Sequence, residues 1–115
     1  MVIDWSRIES LVDMNEPEDL VWLKEMIVSL NENMPVRIQS LREKMEKRDQ
    51  KELQSELHQI KGVAANFGLA LLSQIVIKAE ADAKAGNIDL SISESEKIPA
   101  AWEKTKSELD ARFSS

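Results

Sequence analysis

Apolar residues recur along this chain in steps of three and four, the period of helices buried along one side. The clearest run is Leu20, Leu23, Ile27, Leu30, Met34, Ile38, Leu41 and Met45, spaced 3, 4, 3, 4, 4, 3 and 4. The rhythm keeps its phase across Pro35. It predicts one long helix over about 17–47, kinked where the proline removes a backbone donor; two helices meeting at Pro35 is the alternative. Ahead of it, Asp4 can cap a short helix with Trp5, Ile8, Leu11 and Val12 on its apolar side. Asn15-Glu16-Pro17 breaks that helix, and Pro17 suits the first turn of the next. Asp49 followed by Glu52 reads as an Asp form of the capping box and opens a third helix with the stripe Leu53, Leu57, Ile60, Ala64 and Phe67. Asn66-Phe67-Gly68 interrupts it, with Gly68 as the chain-reversal residue. A fourth helix carries Leu72, Ile75, Val76, Ala79 and Ala83 and stops at Gly86-Asn87. Ile88 to Ser93 reads as a polar linker. The last helix carries Ile98, Trp102, Leu109 and Phe113, and Ser93, Ser95 and Pro99 each offer a different start for it.

No alternating run of any length suggests a strand. The expected fold is all-α: residues 1–115 as one domain, an antiparallel four-helix bundle with the short N-terminal helix across one end. A single core is sustainable at this length, with 43% hydrophobic and 31% charged residues.

Composition removes several chemistries. The absence of cysteine excludes disulfides, thiolate zinc sites and cysteine nucleophiles. One histidine cannot build a multi-histidine metal centre, and no Glu-x-x-His pair exists for a carboxylate-bridged one, since Glu56 stands two residues before His58. No metal site is expected. The net charge of −6 argues against nucleic acid as a partner. The six basic residues among positions 37–51 read as a solvated helix end. The longest uncharged stretch, Gly62 to Ile77, is too short and too polar to span a membrane. No leader pattern precedes Asp4 and Arg7, so a cytoplasmic location is expected.

His58 follows the core position Leu57, which rotates it about 100° from the core direction to the edge of the buried face. Around it on that side lie Gln54, Ser55, Lys61, Gly62 and Ala65. A glycine inside a helix costs up to about 1 kcal/mol relative to alanine, so Gly62 needs a reason beyond helix stability, and clearance beside His58 is the simplest. Lys61 places a positive charge within one turn of the ring. If the chain reverses around Phe67–Leu69, the level of His58 on the next helix falls near 78–80, where Glu80 can accept from one ring N–H, fix the tautomer and leave the other nitrogen a free lone pair. Taken singly, each feature has a bland explanation: a boundary histidine, a close-packing glycine, a surface lysine.

Together, His58-Gln59-Ile60-Lys61-Gly62-Val63-Ala64-Ala65-Asn66-Phe67-Gly68 resembles the signature of histidine-containing phosphotransfer (HPt) domains: His, any residue, an aliphatic, Lys, a small residue, then a small stretch closing on an apolar residue and Gly. The resemblance covers nearly the whole chain: it begins at Ile3-Asp4, includes the long second helix and closes with the Glu80 position on the following helix. Leu57 stands where the family commonly has Ala, Val63 where it has a small residue, and Gln also occurs in the family at the Glu80 position. The resemblance implies a single-domain phosphorelay carrier in which His58 Nε2 accepts a phosphoryl group from a receiver-domain aspartyl phosphate and passes it to another receiver. Lys61 would offset the phosphoryl charge, Gly62 and Ala65 would give the receiver clearance, and Glu80 would orient the ring. Gln54, Ser55, Gln59 and Ala65, with part of the N-terminal helix, would dock the receiver. Expected partners are response-regulator receiver domains and a hybrid sensor histidine kinase, with the chain acting as a monomer. It would need no cofactor of its own, Mg²⁺ being held by the receiver. No P-loop or Gly-rich kinase loop is present, so no autophosphorylation from ATP is expected. The competing expectation is a helical adaptor that docks on receivers without covalent chemistry.

Overall fold

The computed structural model describes residues 1–113. Six helices follow one another: α1 (Trp5–Leu11), α2 (Pro17–Lys47), α3 (Gln50–Asn66), α4 (Ala70–Lys84), α5 (Ile88–Ser95) and α6 (Ile98–Phe113), with no strand among the described residues. α2 is unbroken across Pro35, and its 31 residues run about 46 Å, nearly the whole 47 Å length of the molecule. Leu23, Ile27, Leu30, Met34, Ile38 and Leu41 are all buried, so the unshifted apolar rhythm does trace one continuous face. α2 ends on Arg48 in the left-handed conformation (φ 54°), and Asp49 then caps α3 by accepting from the Glu52 N–H at 3.1 Å.

α3 packs on α2 and α4, and α6 packs on α4 and α2, and most of the buried core residues lie on these four helices. Its centre is Leu53, Leu57, Ile60, Leu69, Leu72, Val76, Ile98 and Trp102.

One expectation is corrected. Residues 88–93 are not a polar linker; they belong to α5, which lies along α4. Its serines misled the reading, because Ser91 and Ser95, one turn apart, are fully buried. The Ser91 hydroxyl donates to the Ala79 carbonyl at 2.7 Å, satisfying its polarity while its small size lets the helices approach closely. The last helix therefore starts at Ile98, and Pro99 falls in its first turn, where a missing N–H costs nothing. Ser93 and Ser95 lie inside α5.

The α3–α4 turn sets the register between the two helices that carry the conspicuous residues around His58. Gly68 takes φ +66°, which reverses the chain. The N-terminal segment seals this turn from outside. Asp4 N–H donates to the Gly68 carbonyl at 2.7 Å, Leu71 N–H to the Val2 carbonyl at 3.1 Å, and Arg7 Nε to the Asn66 carbonyl at 3.0 Å. A side chain at Gly68 would lie 2.7 Å from the Asp4 carbonyl oxygen, so both conformation and space demand glycine. α1 also meets the end of α6: Trp5 and Phe113 rings are 5.9 Å apart, and the Arg112 guanidinium lies 4.3 Å from the Trp5 ring centre.

Candidate functional site

The buried stripe Leu53, Leu57, Ile60, Ala64 fixes the rotation of α3. His58, one residue past Leu57, is turned outward, its side chain 69% exposed. The reversal at Gly68 then lays α4 antiparallel beside α3, with Ala79 in the core and Glu80 directed at α3. Glu80 is the unusual member, a carboxylate whose side chain is only 5% exposed.

Two groups compensate that burial. His58 Nδ1 lies 3.2 Å from Glu80 Oε1, and Lys61 Nζ lies 3.1 Å from Oε1 and 3.0 Å from Oε2. Burial works to raise the Glu80 carboxyl pKa, but the hydrogen bonds from Lys61 and His58 and their charges outweigh it, holding it below its usual range. An ionised carboxylate can only accept, so Nδ1 carries the ring proton in this contact and Nε2 is left as the lone-pair nitrogen.

Gly62 lies one turn beyond His58 on the exposed side of α3, and a Cβ placed there would meet nothing within 4 Å. Close helix packing therefore does not explain this mid-helix glycine; the space it leaves faces outward. Ala65, two turns along, is also exposed.

The remaining positions divide. Ser55 is exposed, and Gln54 is half-buried. Gln59 turns toward α2, its Oε1 accepting from Arg37 Nη1 of that helix at 3.0 Å, so it borders the surface on the flank opposite Glu80. α1 stands at the turn end of α3, where Arg7 Nη2 donates to Asn66 Oδ1 at 3.3 Å, about 12 Å along the axis from His58. Two neighbours escaped the sequence reading. Arg37 was legible from the α2–α3 hairpin, which pairs residues summing to about 96. Ile77, 55% exposed and one turn before Glu80, was legible as an apolar residue off its helix's buried stripe.

Among the described residues no group of three or more His, Asp or Glu side chains could hold a metal ion, and no helix is long and apolar enough to cross a membrane.

A family model described as the Hpt domain matches residues 25–111. The chain belongs to the Hpt domain family. Neither a curated protein nor a solved structure gives a significant match. The activity of Hpt domains is histidine phosphotransfer in phosphorelays, where they work as carriers rather than kinases and interact with receiver domains and kinases. The matched span contains His58, Lys61, Gly62 and Glu80. It begins inside α2, so the α1 segment that seals the α3–α4 turn lies outside it.

Proposed function

We propose that this Hpt domain is a phosphorelay carrier whose acceptor atom is Nε2 of His58, set on an antiparallel bundle of α2, α3, α4 and α6. The observation that carries the reading is a ring 69% exposed yet anchored through Nδ1 to a buried carboxylate. The Nε2 lone pair attacks the phosphorus of a receiver aspartyl phosphate; the P–N bond forms as the P–O bond to aspartate breaks, and the aspartate carboxylate leaves. Nδ1 keeps its proton throughout, so the ring becomes formally cationic, and Glu80 supplies the counter-charge in place. Transfer passes through a loose, in-line transition state, so positioning and charge neutralisation dominate. The receiver brings its aspartate and Mg²⁺. The carried group adds about 1.5 to 2 negative charges. Lys61, 35% exposed, can shift from Glu80 toward it.

Gly62 and Ala65 give the receiver a close approach, with Ser55, Gln54, Gln59, Arg37 and Ile77 around the contact. His58, Lys61 and Glu80 all come from one hairpin, so a single chain suffices for transfer. The partners are receiver domains in the cytoplasm, one of them attached to a hybrid sensor kinase.

Incubation with a phosphorylated receiver should label the protein with an acid-labile, base-stable phosphate. His58→Gln should abolish labelling with the helical circular dichroism unchanged. Labelling of the Gln variant overturns His58 as acceptor. Receiver binding without labelling of the unaltered protein favours an adaptor that docks without covalent chemistry.

A further inference from the structure

The outward face of the first half of α2 is unpartnered and nearly self-complementary. Val21 and Val28, seven residues apart, are 56% and 54% exposed. They border a shallow depression of about 320 Å³ whose other lining residues are Lys24 and Glu25. Both charged side chains are exposed, and among the described residues neither makes an ion pair. Positions summing to 49 correspond about a centre between Lys24 and Glu25: Val21 with Val28, and Lys24 with Glu25.

We propose that this face pairs with the same face of a second copy, two α2 helices crossing antiparallel about a twofold axis between Lys24 and Glu25. Each Val21 meets Val28 of the other copy and each Lys24 meets Glu25, giving two apolar and two ionic contacts with no like charges opposed. A parallel crossing would set Lys24 against Lys24 and Glu25 against Glu25, so the charges select the antiparallel register.

The surface lies away from the histidine. α2 meets α3 through Arg37 and Ser40, which bond Gln59 and Glu56. Val21 and Val28 point roughly 140° away from that direction around the helix. Both His58 sites therefore stay open in the pair, and the inference does not depend on the phosphocarrier reading. A contact of a few helical turns falls below the ~1,200 Å² of a standard interface, so the association is weak. The charge of −6 on each copy opposes it at low salt, whereas ~0.15 M salt screens that repulsion beyond about 8 Å. The monomer expected from the sequence is then the dilute state.

Sedimentation equilibrium of the full chain at ~0.15 M salt, from about 10 μM to about 1 mM, tests this. The weight-average mass should climb from 13.1 kDa toward twice that value. Lys24→Glu and Glu25→Lys should each raise the dissociation constant on the order of tenfold. Glu25→Lys is the sharper probe, since it moves the net charge toward zero and yet must weaken pairing. An equimolar mixture of the two variants, and the K24E/E25K double variant, should recover association. Val21→Ser should weaken it without changing the helical signal. A monomer mass at all concentrations, association unchanged by both reversals, or weakening that the mixture does not rescue overturns the proposal.

Discussion

Glu80→Ala probes the tautomer lock most directly. In the neutral ring the proton can sit on either nitrogen. With it on Nδ1, the ring donates to Glu80 Oε1 across 3.2 Å; with it on Nε2, a lone pair faces a carboxylate. Hydrogen bonds to charged groups contribute about 1.5–3 kcal/mol. The ring is 69% exposed, so water competes, and the preference falls to about 1 kcal/mol, roughly fivefold. Removing the carboxylate should erase that preference. It should change bundle stability by about 1 kcal/mol or less, because the desolvation cost of the buried charge disappears with it. The assay is ¹⁵N NMR of the ring nitrogens, whose shifts distinguish the Nδ1–H and Nε2–H tautomers of the neutral ring. The unaltered protein should show mainly Nδ1–H, and the Ala variant should lose the bias. Glu80→Gln should keep part of it, since an amide oxygen still accepts. Phosphoryl transfer to the Ala variant should slow by roughly twofold from this cause alone, because the share of rings presenting a free Nε2 falls from about five in six to about one in two. An unchanged tautomer and an unchanged rate in the Ala variant would refute the role given to Glu80.

Three other perturbations have definite expected outcomes. The Glu80 carboxyl titrates below its ordinary 4.5 in the folded state, so its ionisation contributes stability fully above about that pH and loses it as pH falls through the folded value. The stability gap between the unaltered protein and Glu80→Gln in urea unfolding should be flat at neutral pH and narrow in acid; a gap that stays flat to about pH 3 refutes this. Gly68→Ala forces a positive φ on alanine and drives its Cβ to 2.7 Å from the Asp4 carbonyl oxygen, so it should cost about 2–3 kcal/mol and lower Tm by about 10 °C; a fall of under about 2 °C would show that the turn relaxes freely. Gly62→Ala, with nothing within 4 Å, should raise stability by about 0.5–1 kcal/mol, while Gly62→Phe should fold and yet transfer slowly; fast transfer by the Phe variant removes the clearance role.

The sequence made the site more legible than the chain's second half. Leu57 and Ile60 locate the core side of α3, so the exposure of His58 follows from helical rotation alone. Glu80 follows from counting back through a reversal at Gly68, and the 3.2 Å contact meets that count. Counting could not say that Glu80 is buried or that Lys61 reaches it; both depend on how closely α3 and α4 approach. α5 was hidden because Ser91 and Ser95 look polar, whereas their hydroxyls are consumed within the fold or enclosed by it. Periodicity ranks residues by hydrophobicity, but close helix contacts select for size. The role of the N-terminal segment was only half visible: Asp4 reads as a cap, while its backbone N–H also holds the Gly68 carbonyl across 64 positions of sequence.

Where the site lies, the bundle departs from what stability alone would choose. Gly62 would be better as alanine for the helix, and Glu80 could be apolar without exposing anything. Each departure is local and is offset within one hairpin: Lys61 and His58 offset the burial of Glu80, and the α1 segment fastens the turn that sets Glu80 opposite His58. On the proposed reading, in which receivers would bring the metal and the leaving group, the chain has little chemistry of its own to assemble. Its task is to keep one nitrogen lone pair in reach and a counter-charge behind it. A buried carboxylate on a neighbouring helix does this better than an exposed one, because packing around Ala79 and Ala83 fixes its position while the ring meets the solvent.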